Sequence, residues 1–129
     1  MSTRSRSRDR GAAAVEFALL LPILLIIVFG IIDFGRMLNA QVTLTEAARE
    51  GARAESLGSD PNARVATATT NLDGVSTSVD SACPGEDAIV TVNYEFTFVT
   101  PLSPLLGLFG GGLDGTVPMS GKGVMPCFT

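Results

Sequence analysis

A long stretch without charge near the N-terminus constrains this chain more than any other feature. Residues 17–32 read FALLLPILLIIVFGII, with no ionisable side chain among them. With residues 11–16 the stretch has 22 residues, which as a helix extend about 33 Å, close to the thickness of a bilayer core. A buried core helix is disfavoured, because little else in a chain of 129 residues could cover it on all sides. The sequence therefore predicts a transmembrane helix over residues 12–32.

A secretory signal peptide, removed after export, is the alternative interpretation of this stretch. The apolar run is longer than the usual core of a signal peptide, and no small-x-small cleavage site follows it. It ends instead in the sequence DFGR at residues 33–36, which is typical of a helix that continues into water. A retained membrane anchor is favoured, and a soluble exported domain remains the alternative.

The charges are divided unevenly on the two sides of this helix. The first ten residues contain four arginines, here called the leader arginines (Arg4, Arg6, Arg8 and Arg10), against Asp9. From Asp33 onward there are five basic and eleven acidic side chains. Because positive residues stay in the cytoplasm, we expect a cytoplasmic N-terminus and an extracytoplasmic body. The acidic body also excludes nucleic acid as an expected partner, since nucleic-acid binding needs a basic surface.

The chain contains two cysteines, Cys83 and Cys127, with 43 residues between them. An exported domain lies in an environment where disulfides form and persist. Closing a loop of this length contributes about 3–4 kcal/mol in the chain-entropy model. A structural disulfide is the favoured prediction, and two unpaired thiols are the alternative.

Glu16 is an ionisable residue within the apolar segment, where such residues are costly and usually have a function or a partner. The simpler interpretation is an acid at headgroup depth, stabilised by the dipole of the helix N-terminus. If the bond after Gly11 were cut, Glu16 would become the fifth residue of the mature chain. The new amine of Ala12 would be a positive charge at a helix N-terminus, and a carboxylate from a neighbouring chain could compensate it.

This arrangement resembles the processing site of type IV pilin-like proteins, in which a basic leader ends at a glycine and a glutamate follows. More narrowly, the chain is similar to the TadE-like family. The matching parts are AVEFAL at residues 14–19, Pro22, GIIDFGR at residues 30–36 and AAREGAR at residues 47–53. The resemblance implies a leader over residues 1–11 that a prepilin peptidase cuts between Gly11 and Ala12. It also implies that Glu16 sets subunit register during assembly.

The function implied by the resemblance is that of a pseudopilin, a minor pilin-like membrane protein. Such proteins act in tight-adherence (Tad/Flp) pilus assembly, in cell adhesion or in associated secretion. The expected partners are the lipid bilayer, a prepilin peptidase and other pilin-like subunits of a tight-adherence system. The alternative is a single-pass membrane-anchored envelope or binding protein that is never assembled into a pilus.

Residues 33–57 contain no proline, so the anchor helix is expected to extend beyond the membrane. Four small residues, Ala47, Ala48, Gly51 and Ala52, recur there at a spacing of four and are predicted to pack closely on another element. That element is either a sheet of the same chain, which we favour, or another subunit.

Residues 58–129 are predicted to form a small α+β domain. Asp60 and Pro61 begin a short helix that extends to about residue 72. Strands are expected at residues 75–80, 88–99 and 116–125, and together they form a small antiparallel sheet. Apolar residues alternate along the second strand, at Val90, Val92, Tyr94, Phe96 and Phe98. The apolar segment at residues 101–112 is expected to be a loop that either folds onto the core or forms an exposed contact patch or membrane-touching tip.

Several kinds of chemistry have no basis in this sequence. It contains no histidine, and two cysteines this far apart form no zinc motif. Gly110 to Gly112 lack the Lys-Ser/Thr that completes a phosphate-binding loop. We therefore predict that the protein is not an enzyme and that it has no cofactor and no metal.

Overall fold

The computed structural model describes residues 4–112 and 115–128, and in that part of the chain it contains three helices and three strands. They are α1 (Arg4–Ser56), α2 (Pro61–Ala68), β1 (Ser76–Ser81), β2 (Asp87–Thr97), α3 (Leu102–Leu108) and β3 (Thr116–Pro126). The predicted α+β fold class is confirmed, with its long N-terminal helix, short helix and small antiparallel sheet. The first three residues of the predicted leader, residues 113–114 of the C-terminal domain and Thr129 lie outside the described residues.

Helix α1 combines the predicted transmembrane segment and its extension in one element of 53 residues. It continues through Pro22, which removes one backbone hydrogen bond but is tolerated in helices that cross membranes. Its most apolar 18-residue window has a mean hydropathy of 2.9, and none of that window is buried within the protein. By length and composition, α1 can cross a membrane once.

The sheet is antiparallel throughout, and its strand order is β1-β2-β3. On β2 the residues Val90 and Val92 are buried, and they stand opposite Gly123 and Gly121 of β3. The strand ends at Thr97, two residues earlier than predicted. The reason lies in the backbone after it, because the N–H of Val99 donates to the side chain of Asp33 rather than to a neighbouring strand.

The chain divides into two compact units. The first contains α1 up to Phe34 and the segment that begins at Phe98 and includes α3. The second begins at Gly35, continues to Thr97 and also contains β3. The hydrophobic core of the second unit is formed by α1, α2 and β2, through Leu44, Ala47, Ala48, Ala52, Val65, Val90 and Val92.

Helix α2 begins as predicted but ends earlier. The side chain of Asp60 accepts a hydrogen bond from the Asn62 N–H at 2.9 Å, and Pro61 occupies the first turn. The helix ends at Ala68 because the next three residues are Thr, Thr and Asn, which have low helix propensity. The carbonyl of Val65 accepts hydrogen bonds from the Thr69 N–H at 2.9 Å and from the Thr69 hydroxyl at 2.8 Å.

The segment after β2 differs from the predicted loop, because residues 102–108 form helix α3. Pro104 is compatible with a helix here since it lies in the first turn, where backbone N–H groups have no intrahelical partner. Gly110 ends the helix with a φ of 78°, and the Gly111 N–H donates to the carbonyl of Leu106 at 2.9 Å. The run of proline and glycine therefore delimits a short helix and does not prevent one.

Candidate functional site

The N-terminal half of α1 carries the residues that the sequence singled out for processing and assembly. Gly11, Ala12 and Glu16 all lie within the helix, and all three are exposed. In the part of the chain that the structure describes, no heavy atom other than those of the neighbouring helix backbone lies within 4 Å of the position that a Cβ of Gly11 would occupy. The residues of the predicted processing site and the carboxylate of Glu16 are thus accessible on one exposed helical surface.

The side chains that follow Glu16 form a large exposed apolar surface. Phe17 is 60% exposed, Leu19 is 69% exposed and Ile31 is 68% exposed. Water-soluble proteins rarely leave a contiguous apolar surface of this size uncovered. This part of the helix is therefore suited to contact lipid chains or other apolar helices, with Glu16 at its N-terminal end.

Asp33, directly after the apolar run, is a residue whose structural role the sequence analysis missed. Its side chain is 1% exposed. Its carboxylate accepts hydrogen bonds from the Val99 N–H at 3.4 Å and from the hydroxyl of Thr100. A buried carboxylate requires such partners, since burial without hydrogen bonds is costly. Asp33 therefore attaches the segment that begins at Phe98 and contains α3 to helix α1, within the first unit.

In the second unit, two polar side chains fasten the helix extension to the sheet. The Arg36 guanidinium donates to the Thr97 carbonyl at 3.3 Å, and its carbon lies 5.1 Å from the centre of the Phe96 ring. Further along α1, the amide Nε2 of Gln41 donates to the carbonyl of Ser120 at 2.9 Å. Arg36 thus contacts the end of β2, and Gln41 contacts β3.

The four small residues predicted to pack closely, Ala47, Ala48, Gly51 and Ala52, are all buried. They lie against α2 and the sheet of the same chain, where the core residues include Val65 and Val90. A Cβ on Gly51 would stand 2.8 Å from Val65 Cγ2 and 3.0 Å from Val90 Cγ1. The small side chains are therefore already used for packing within the chain.

Two glycines of β3, which were not predicted from the sequence, complete this contact. A Cβ added to Gly121 would collide with the carbonyl of Leu44, and one added to Gly123 would collide with the carbonyl of Ala48. The backbone of β3 therefore packs directly on the backbone of α1. The available signal was the spacing Gly-Lys-Gly, which places both glycines on one face of a strand.

The two cysteines lie together at the end of the sheet. The sulfur atoms of Cys83 and Cys127 are at bonding distance, and their Cα atoms are 5.8 Å apart, as in a disulfide. The Cys83 N–H donates to Oε1 of Glu55 at 3.3 Å, and the Cys127 N–H donates to the carbonyl of Glu86, also at 3.3 Å. This pair joins the turn before β2 to the residue after β3, close to the end of α1.

Among the described residues, no group of three or more histidine, cysteine, aspartate or glutamate side chains is arranged to hold a metal ion. Glu50, one of the acidic residues beside the core, pairs with Arg64 of α2 at 3.3 Å. Both side chains are about half exposed, and such pairs contribute only tenths of a kcal/mol to stability. The observations that point to a function are therefore concentrated on α1.

Comparison with known proteins leads to the same helix. A family model described as TadE-like protein matches residues 11–53, which extend from the predicted processing site through the small residues of the core. The resemblance inferred from the sequence is thereby confirmed for this part of the chain. TadE-like proteins are structural, pilin-like components, so the match associates the chain with Tad pilus-related proteins in general. No curated protein and no solved structure matches it.

Proposed function

Because residues 11–53 form a TadE-like segment, we propose that this protein is a minor pilin-like membrane component of a tight-adherence (Flp-type) pilus system. It would act in pilus assembly, adhesion or associated secretion, by structural contacts and without catalysis. The observation that carries the proposal is the exposed apolar surface of α1, which begins at Glu16 and falls within the matched segment. A helix of this kind can be held in a bilayer or beside other pilin helices.

The proposed topology is a cytoplasmic N-terminus with everything after Asp33 outside the cytoplasm. It rests on the leader arginines, since positive residues next to a span remain in the cytoplasm. In this orientation a prepilin peptidase would cut between Gly11 and Ala12 and remove all four of these charges. The exposure of Gly11 and Ala12 supports access by such an enzyme.

Glu16 is proposed to set the register between neighbouring subunits. After cleavage, the amine of Ala12 would stand at a helix N-terminus, where the helix dipole disfavours a positive charge. The Glu16 carboxylate of an adjacent subunit would compensate it in an apolar environment. Since the small residues at 47–52 are buried within the chain, subunit contacts are assigned to the apolar part of α1.

The processing step is tested by intact mass of the protein from cells with and without the prepilin peptidase. We expect a mature chain that begins at Ala12 when the peptidase is present, and an uncut leader when it is absent. A chain that keeps its leader in both cells would contradict the pilin proposal. That result would favour the alternative, a membrane-anchored envelope or binding protein outside any pilus.

The register role is tested by Glu16→Ala, with Glu46→Ala as the matched control on the exposed side of the same helix. Breaking a buried charge pair costs about 3–5 kcal/mol, so assembled protein in sheared filament fractions should fall about tenfold or more. The mature chain should still begin at Ala12 in both variants, so that its intact mass differs from that of the wild type only by the substitution itself. Equal recovery of Glu16→Ala and Glu46→Ala in filaments would remove the role assigned to Glu16.

A further inference from the structure

The segment from Phe98 to Gly112, which contains α3, combines apolar composition with exposure. It contains no charged side chain. Val99 is 71% exposed, Leu108 is 79% exposed and Phe109 is 61% exposed. In a small domain, several large apolar side chains exposed within one short uncharged segment indicate a contact surface.

The position of this segment relative to the span is given by contacts within the first unit. Asp33 follows the last residue of the apolar run, and it binds Val99 and Thr100 through its carboxylate. Leu102, at the start of α3, is only 7% exposed. The start of this segment is therefore held beside Asp33, the residue at which the apolar run of α1 ends.

We propose that α3 and the turn at Phe109 insert into the bilayer beside α1, at the boundary between headgroups and acyl chains. This proposal rests on the proposed membrane span of α1. The lipid surface is chosen as the partner because the contacts with Asp33 hold this segment where the span ends, and apolar residues of α1 are exposed there too, Ile31 at 68% and Phe34 at 60%. Apolar elements at this boundary are typically buried about 5–10 Å deep.

The absence of charge from the segment determines the kind of lipid binding. Interfacial helices that bind anionic lipids carry lysine and arginine on their polar face, and residues 98–112 contain neither. Insertion is thus driven by burial of apolar side chains. We expect it to be the same in zwitterionic vesicles and in vesicles that contain anionic lipid.

The test uses the natural lack of tryptophan in this chain, which makes a single introduced tryptophan a specific reporter. Phe109→Trp is made in the full chain and reconstituted in phosphatidylcholine vesicles whose acyl chains carry bromine near the carbonyl end or near the methyl end. We expect blue-shifted emission and a marked loss of intensity with the shallow bromine, and a smaller loss with the deep bromine. Adding Leu108→Asp to this variant should reduce the quenching and shift the emission to the red.

Two further variants separate the failure of this proposal from the failure of the span. Ile23→Trp, within the apolar run, should be quenched by the deep bromine in every case where α1 spans the bilayer. Val79→Trp, on the polar strand β1, should be quenched by aqueous iodide and not by brominated lipid. If Ile23→Trp is quenched and Phe109→Trp is not, the interfacial contact is wrong and the span stands; if neither is quenched, both are wrong.

Contact with a second copy of the chain is the remaining outcome. It would give Phe109→Trp a blue-shifted emission that is insensitive to brominated lipid and returns to the red as the protein is diluted in excess lipid. This result would overturn the lipid proposal.

Discussion

Two glycines of β3 determine how closely α1 can approach the sheet. At Gly121 and Gly123 the strand backbone lies against helix carbonyls, so that any side chain would collide with atoms that cannot rotate away. On the helix side, the two glycines meet the backbone at Leu44 and at Ala48, both of which are fully buried. The strand has no side chain at either contact point, and the stability of the second unit depends on this close approach of the two backbones.

Gly123→Ala should therefore destabilise the second unit. Overpacking of a filled core costs about 1–3 kcal/mol, and in a domain of this size each kcal/mol lowers the melting temperature by about 4–8 °C. Thermal unfolding of the full chain in detergent micelles, followed by circular dichroism, measures the effect. Gly115→Ala is the control, because among the described residues no heavy atom beyond its chain neighbours lies within 4 Å of the added Cβ. Equal melting temperatures for the two variants would contradict the backbone contact.

Among individual side chains, the sequence revealed those with a regular spacing and missed those whose role depends on a single distant partner. The small residues of α1 repeat every four positions, so their close packing could be predicted. Asp33 shows no such pattern, because its partners Val99 and Thr100 are more than sixty residues away in the chain. A pairing of this kind is set by the tertiary fold, and one sequence contains no periodic signal for it.

Helices and strands could be predicted where the residue composition and the period of apolar residues indicated the same element. Residues 17–32 are uniformly apolar, and β2 alternates buried and exposed residues, so both were found from the sequence. Helix α3 was not, because its prolines and glycines are also typical of loops. Pro101 precedes the first turn of the helix, Pro104 lies within that turn, and Gly110 follows the last turn. Proline and glycine are compatible with a helix at these positions.

The disulfide between Cys83 and Cys127, which joins the turn before β2 to the residue after β3, leads to a second stability prediction. Replacing Cys83 and Cys127 together with serine should lower the free energy of unfolding by about 3–4 kcal/mol, because the unfolded chain regains the entropy of a loop with 43 internal residues. Urea unfolding in detergent measures the change, and the reduced wild-type chain should unfold like the double variant. Alkylation of two thiols without prior reduction would show that the bridge does not form.

The whole molecule combines an apolar helix with an uneven distribution of charge, and this distribution predicts its orientation. In the ~20 residues on either side of the span, which end at Ala52 on the C-terminal side, the N-terminal side carries the four leader arginines and the C-terminal side carries Arg36 and Arg49. The side with more positive charge stays in the cytoplasm. Acidic residues contribute little to membrane orientation, so the orientation of α1 depends on the difference of two arginines between the two sides of the span.

Replacing the four leader arginines with glutamine should therefore reverse the difference in positive charge across the span. Two basic residues would remain on the C-terminal side and none on the N-terminal side. We expect a reporter enzyme fused to the C-terminus, active only outside the cytoplasm, to lose most of its activity while the protein remains in the membrane fraction. Replacing Arg36 and Arg49 with glutamine instead should leave reporter activity unchanged, because the existing bias becomes larger. Full activity in both variants would show that the leader arginines do not orient α1.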